Sequence, residues 1–359
     1  MGSKYCGCCK ETPSTLKIFD SQVTNENSIS MEYFFNLVPK AILNKMIKEK
    51  FPNYKQNNAE IRTEKVNEDI NDDENNTKEI IYHGEFNNMG QKDGQGKLII
   101  IKKNDEKIFI HGIWKNDNLS SGTIYYENDS IYSGQIKNYL RDGKGKFMSE
   151  NETYEGEWKE DQRNGQGILI FKDGTKYEGG FKNNQFNGRG KMEWKDGYYY
   201  KGQFNNNTFH GFGYLRGSNG HIYNGNFQNG LFHGEGEFKW VNGPIVEFYK
   251  GNYSFGKKDG KGEFHFNNGH VYNGEWKSGN PDGEGIYETK NRRYKGNWRA
   301  GIFMQLIDAE DKECAQEENL NLTFKTPNED ILGLDHITTS LNSAMSKSSL
   351  VNVSVEVLK

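Results

Sequence analysis

From residue 82 onward, apolar and polar positions alternate in short runs, and the alternation restarts at a nearly fixed interval. Each run opens with an aromatic or large aliphatic residue, a glycine two places on, and a further large apolar residue two places after that. The copies begin at Tyr82-Gly84-Phe86, Ile110-Gly112-Trp114, Tyr132-Gly134-Ile136, Tyr154-Gly156-Trp158 and Tyr177-Gly179-Phe181. They continue at Tyr200-Gly202-Phe204, Tyr223-Gly225-Phe227, Tyr249-Gly251-Tyr253, Tyr272-Gly274-Trp276 and Tyr294-Gly296-Trp298. Successive starts lie 28, 22, 22, 23, 23, 23, 26, 23 and 22 residues apart. In a strand, residues i, i+2 and i+4 point to one face, so the aromatics and the glycines are expected on a common inner face.

Each unit has a second half, Asp/Asn/His-Gly-x-Gly, as at Asp142-Gly143-x-Gly145, Asn164-Gly165-x-Gly167 and His210-Gly211-x-Gly213. Apolar residues again follow at spacing two, as in Leu169 and Phe171. An inner glycine leaves bare backbone on which a neighbouring ring can lie, a packing that a Cβ would block. Pairs such as Asp173-Gly174, Asp196-Gly197, Asn219-Gly220, Asn242-Gly243 and Asn268-Gly269 separate the runs, and such pairs suit type I′ hairpin turns. The expected product is a ladder of hairpins, one per unit, each burying its aromatics against the next. The two long intervals predict local loop insertions. The second unit, with Ser121-Gly122-Thr123-Ile124, is expected to be irregular, and the last stops after Trp298 without a Gly-x-Gly.

The recurring Tyr-x-Gly-x-Phe/Trp followed by Gly-x-Gly resembles the MORN repeat (membrane occupation and recognition nexus). The resemblance implies a mainly β chain, an elongated single-layer antiparallel ladder of about ten hairpins over residues 80–302; the residue pattern outside the repeats adds short helical flanks at both ends. It also implies a non-catalytic scaffold that organises membrane–cytoskeleton or protein assemblies. Two alternatives stay open under the resemblance: a structural component of a cilium or other cytoskeletal array, and a regulatory relative of phosphatidylinositol phosphate kinases without a kinase domain.

Outside the repeats the pattern changes. Residues 1–13 form a Cys-rich terminus, and residues 14–51 hold short apolar helical runs, with Ile42, Leu43, Met46 and Ile47 on one face. Residues 52–79 are polar and acidic and read as a linker. In the tail, 303–359, Thr326-Pro327-Asn328-Glu329 looks like a helix start, so a helix is predicted over 327–347. Val351, Val353, Val355 and Val357 then alternate as in a strand.

Composition narrows the function. A mean hydropathy of -0.94 together with 13% aromatics and 42 glycines fits repeated short strands better than one large core. The net charge of -4 gives no footing for a nucleic-acid partner. The longest apolar runs are too short to span a membrane as a helix, and no apolar signal core follows the N-terminus. Four cysteines, three of them at Cys6, Cys8 and Cys9, do not make a disulfide framework, so an intracellular chain is expected. Gly2 can take myristate after removal of Met1, and Cys6, Cys8 and Cys9 can take palmitate beside it, which would tether the chain to the cytoplasmic face of a membrane. Position 6 of that signal usually carries Ser or Thr, and here it carries Cys6.

His210 and His233 recur at one repeat position, but Asp or Asn stands there in other units, so a turn role is expected and no metal. None of the Gly-x-Gly pairs opens a helix, so no phosphate loop, cofactor or catalytic centre is expected. Lys137, Lys159, Lys182 and Lys277 follow the aromatic strand and could meet anionic phospholipid if they share a face; solvated surface charge is the simpler reading. Protein partners are expected, and an open ladder edge admits a homodimer.

Overall fold

The computed structural model describes residues 60–66, 77–104, 106–242, 245–311 and 323–324. All of them belong to one compact unit, Ala59–Lys359. They form 21 antiparallel strands in a single sheet. The first group is β1 (Glu60–Val66), β2 (Thr77–Phe86), β3 (Lys92–Lys102), β4 (Lys107–Lys115), β5 (Asn118–Tyr126), β6 (Ile131–Lys137) and β7 (Leu140–Met148). Next come β8 (Glu152–Lys159), β9 (Gln162–Phe171), β10 (Lys176–Lys182), β11 (Gln185–Glu193), β12 (Tyr199–Asn205), β13 (Thr208–Arg216) and β14 (Ile222–Gln228). The sheet ends with β15 (Leu231–Asn242), β16 (Ile245–Ser254), β17 (Lys257–His265), β18 (Val271–Lys277), β19 (Asn280–Glu288), β20 (Arg292–Arg299) and β21 (Ile302–Asp311).

Every strand pairs with its neighbours in sequence, from β1–β2 through β8–β9 to β20–β21. The sheet is therefore an open meander, as the short intervals between runs require. No helix occurs among the described residues. The helical segments expected in 14–51 and 327–347, the terminal valine strand, and the acylatable residues Gly2, Cys6, Cys8 and Cys9 lie outside them.

Register places the glycines in one continuous row across the sheet. Gly134 faces Gly145, Gly145 faces Gly156, Gly156 faces Gly167 and Gly167 faces Gly179. The row begins at Gly84 opposite Gly96 and reaches Gly285 opposite Gly296. The reason lies on the inner face. The Tyr154 ring runs along its own strand over Gly156 and across to Gly167, and an added Cβ at Gly156 would stand 2.6 Å from the Tyr154 hydroxyl. That hydroxyl donates to the Glu157 carbonyl at 2.8 Å. Tyr132 donates in the same way to Gln135 (2.6 Å), Tyr177 to Gly180 (2.8 Å) and Tyr223 to Asn226 (2.8 Å). Each of these repeat-opening phenols thus finds its acceptor three residues on.

Aromatic rings carry the packing from unit to unit. Tyr154 meets Trp158 of its own strand and Phe181 of the next unit, both edge-on at 5.0 Å. Tyr177 repeats this with Phe181 (5.1 Å) and Phe204 (5.2 Å), and Tyr272 with Trp276 and Trp298, each at 5.3 Å. Such pairs add about 0.5–1.5 kcal/mol each beyond area burial. Stability is therefore a sum of neighbour terms along the sheet.

Expectations are refined at several points. The long intervals lengthen strands instead of loops: β15 and β16 stay paired out to Asn242 opposite Ile245, and β3 with β4 out to Ile101 opposite Lys107. Ile99, Ile100 and Ile101 on β3 and Ile245 and Val246 on β16 are β-branched, a residue type that favours strand. The second unit keeps the glycine row, with Gly112 opposite Gly122; it lacks the bulge glycine and has one residue fewer between Leu119 and Gly122. The last unit does not stop at Trp298, because β21 pairs with β20 and Phe303 covers Gly296 in place of the usual tyrosine. Strand β1 adds a partner for β2 within the stretch that reads as polar linker.

Candidate functional site

The type I′ turns fall elsewhere than at the Asp-Gly pairs. Both φ angles are positive at Asn183 (49°) and Asn184 (67°), at Asn206 (47°) and Asn207 (66°), and at Asn229 (52°) with Gly230 (82°). These turns join the two strands inside each unit. At the Asp-Gly junction only the glycine is left-handed, as at Gly174 (93°). There the Asp173 carboxylate accepts from the Thr175 amide at 2.8 Å.

The short turns also lock each hairpin to the one before it. The Asn184 amide donates to the Arg163 carbonyl (3.0 Å), and the Asn184 side-chain oxygen accepts from the Arg163 amide (2.8 Å). Asn207 does the same to Phe186, at 3.1 Å and 2.7 Å. The residue before Gly-x-Gly completes the link. Asp142 accepts from the Glu160 amide (3.3 Å), Asp259 from the Ser278 amide (3.2 Å) and Asp282 from the Ala300 amide (3.0 Å). This explains the Asp/Asn preference there. His210 and His233 hold the same place, and no group of His, Cys, Asp and Glu suited to a metal occurs among the described residues.

Inner-face cations form a second class of buried chemistry. Arg141 and Arg163 are fully buried where other units carry Phe186, Phe209 and Phe232. Arg141 pairs with Asp161 at 2.9 Å and lies 4.2 Å over the Trp158 ring; Arg163 pairs with Glu152. Burial pushes the Asp161 carboxyl up, with Arg141 opposing, and pushes the Arg163 guanidinium down, with Glu152 opposing. Burial also holds the Tyr154 and Tyr177 phenols well above their ordinary value, so they remain donors. Lys258 sits 4.9 Å over Trp240 within a ring of aromatics. These groups are packed inside the sheet, and each fills a place that an aromatic fills in other units.

The accessible chemistry lies on the opposite, outer face. A groove of ≈ 1300 Å³ runs over β6 to β13 with the glycine row as its floor. Two lines of side chains border it, one on each side of the glycines. Ser133, Lys146, Glu155, Ile168, Glu178, Lys191, Lys201 and Tyr214 succeed one another across the strands on one border. Lys144, Glu157, Gln166, Arg189, Gln203 and Phe212 belong to the other. Phe212, Ile168 and Ile170 are exposed on this face (56%, 36% and 42%). Lys137, Lys159, Lys182 and Lys277 each end a strand and are exposed. They share one margin of the outer face, outside the groove.

The lipidation residues Gly2, Cys6, Cys8 and Cys9 lie outside the described residues. The groove residues themselves were missed from sequence, because their assembly depends on cross-strand register.

Comparison with known proteins supplies one family. The MORN repeat matches at residues 82–100, 132–153, 154–176, 177–197, 200–222, 223–244, 249–271 and 272–291. The units opening at Ile110 and Tyr294 lie outside these matches, yet their Gly112 and Gly296 take their places in the glycine row. Over 52 residues the chain is 38% identical to a probable serine/threonine-protein kinase of Dictyostelium discoideum. That stretch is 14% of this chain and 3% of the relative. The chain therefore spans a small fraction of the length of that relative, and the likeness carries no kinase activity across.

Proposed function

The chain is a MORN-repeat protein, and from that premise we propose that it is a non-catalytic scaffold whose outer face docks protein partners at a membrane. The observation that supports this most is the division of labour between the faces. The inner face places Tyr82 and the repeat tyrosines from Tyr132 to Tyr272 under 2% exposed, while the outer face keeps an open groove bordered by charged and aromatic side chains. A sheet built this way offers area and pattern to a partner. The tether is the acylatable terminus: myristate on Gly2 with palmitate on Cys6, Cys8 or Cys9 provides the two signals that stable attachment needs.

Fractionation of cells expressing wild type and Gly2→Ala, with acyl-analogue labelling, tests the tether. The wild type is expected in the membrane fraction with label, and Gly2→Ala in the soluble fraction without it. Equal membrane fractions with no label on either protein would sink the tether. Retention in a detergent-resistant cytoskeletal pellet would favour a cytoskeletal array instead. Proximity labelling from the N-terminus, in wild type and in a Phe212→Glu, Ile168→Glu variant, tests the docking face; an unchanged neighbour set would remove it.

A further inference from the structure

The groove is not uniform along its length. Strands β11 and β12 put Lys191 directly opposite Lys201 on the outer face. Like charges opposite one another in neighbouring strands destabilise a sheet. Lys191 is paired with Glu193 at 2.7 Å. Among the described residues, neither Lys201 nor Arg189, which lies beside them opposite Gln203, has an ion-pair partner. On the next strand, Lys201 faces Tyr214, and Phe212 stands 56% exposed on the other border of the groove. Tyr199 closes the cluster, 6.0 Å from Tyr214 ring to ring, with Arg216 at 5.8 Å over its face. Five cations and three carboxylates border the whole groove. Two of those carboxylates are already neutralised, Glu155 by Lys146 (3.5 Å) and Glu178 by Lys176 (3.5 Å). A chain of net charge -4 thus concentrates uncompensated positive charge beside exposed rings at one place.

We propose that this cluster on β11 to β13 binds an acidic segment of a protein partner, its carboxylates on Arg189 and Lys201 and an apolar or aromatic side chain against Phe212 and Tyr214. The proposal rests on the reading of the outer face as a docking surface and adds the chemistry of what docks. An arginine fork suits a carboxylate bidentately, and open cations beside rings match a partner that carries both features. An acidic peptide is favoured over a nucleic acid because carboxylates remain in the groove and the chain as a whole is acidic. It is favoured over a lipid surface because the cations border a recess instead of standing proud of it.

The test uses the full-length chain and fluorescence anisotropy with three probes. These are a labelled glutamate–tyrosine copolymer, a labelled oligothymidylate, and vesicles of phosphatidylcholine with phosphatidylserine. The copolymer is expected to bind the wild type. Arg189→Glu with Lys201→Glu should weaken it about tenfold or more, a loss of roughly 1.4 kcal/mol, and Phe212→Ser should weaken it several-fold. The control Lys137→Glu with Lys159→Glu, outside the groove, should not. Absence of copolymer binding, or equal loss in the control, would overturn the proposal. So would tighter binding of the oligothymidylate or the vesicles that the same Arg189 and Lys201 reversal removes, and the cluster would then belong to that ligand. If the copolymer fails while proximity labelling still depends on Phe212 and Ile168, the docking face stands and only its acidic partner falls.

Discussion

A single methyl group at Gly167 should cost far more than one at a glycine whose conformation alone is unusual. The three nearest atoms that an added Cβ at Gly167 would meet all belong to Tyr154, its ring carbons and hydroxyl between 2.5 Å and 2.7 Å away. The ring cannot yield freely. Trp158 and Phe181 hold it edge-on at 5.0 Å on two sides, Arg163 covers it at 5.2 Å, and its hydroxyl is tied to Glu157. Displacing it forfeits two aromatic contacts of about 0.5–1.5 kcal/mol each and a hydrogen bond of about 0.5–1.5 kcal/mol. Gly167→Ala is therefore expected to destabilise by about 2–4 kcal/mol, within the upper reach of overpacking. Gly174→Ala is the control. Its φ is 93° and nothing lies within 4 Å of an added Cβ, so only left-handed strain of about 1–2 kcal/mol applies. Urea unfolding followed by tryptophan fluorescence measures both. The decisive comparison is the cycle with Tyr154→Ala, which alone should cost about 3–5 kcal/mol. In the double variant the methyl group is freed of its nearest contacts, so its cost should fall by about 1–3 kcal/mol. Additive losses, or Gly167→Ala no worse than Gly174→Ala, would refute the idea that the ring dictates the glycine row.

Two further predictions concern charge. Arg141→Met strips the Asp161 carboxylate of its counter-charge in a buried place, and its pKa, already raised by burial, should rise further. A raised folded pKa gives stability at low pH that is lost as pH rises through it, so the variant's deficit against wild type should shrink as pH falls from neutrality toward the ordinary carboxylate range. Adding Asp161→Asn should flatten that dependence, and a deficit that grows on acidification would contradict the assignment. Lys201→Glu turns the Lys191–Lys201 opposition into an attraction between exposed groups, so the urea midpoint should rise by the equivalent of about 0.2–1 kcal/mol while copolymer binding weakens; a lower midpoint would show that Lys201 has a structural role.

The inner face was open to reading in the sequence because its two determinants are local. Tyr154, Gly156 and Trp158 share one strand at spacing two, and the same triplet returns in nearly every unit, so strand, face and seam follow without knowing which strand lies next to which. The turns were harder. Asp173-Gly174 and Asn183-Asn184 both look like turn pairs, but only the second needs two positive φ angles, and Gly174 drew the stronger signal by composition. Tertiary bonding decides the matter: Asn184 must present its amide and side chain to Arg163, a contact between units that neither unit shows alone. Unit two is irregular at one place only, since the glycine it lacks is the one at the bulge, while Gly122 keeps the one that the row needs.

The outer face was illegible because its pattern runs across the strands. Lys191 and Lys201 are ten residues apart and become neighbours only through the register of β11 with β12; Arg189, Gln203 and Phe212 join them by the same route. This separation has a functional consequence. The repeat fixes Tyr, Gly and the next-unit aromatic, because each closes a contact with its neighbours, whereas the residues either side of each glycine on the outer face touch solvent and can vary from unit to unit at little structural cost. Ser133, Lys146, Glu155, Ile168, Glu178, Lys191, Lys201 and Tyr214 occupy equivalent border positions on consecutive strands and include a hydroxyl, cations, carboxylates, an aliphatic residue and an aromatic. A regular inner face therefore permits an irregular outer one, and recognition of a particular partner can be written there without disturbing the fold. The like-charge opposition at Lys191 and Lys201 then marks a place where the outer face departs from what stability alone would select, which makes it the place to look for the partner.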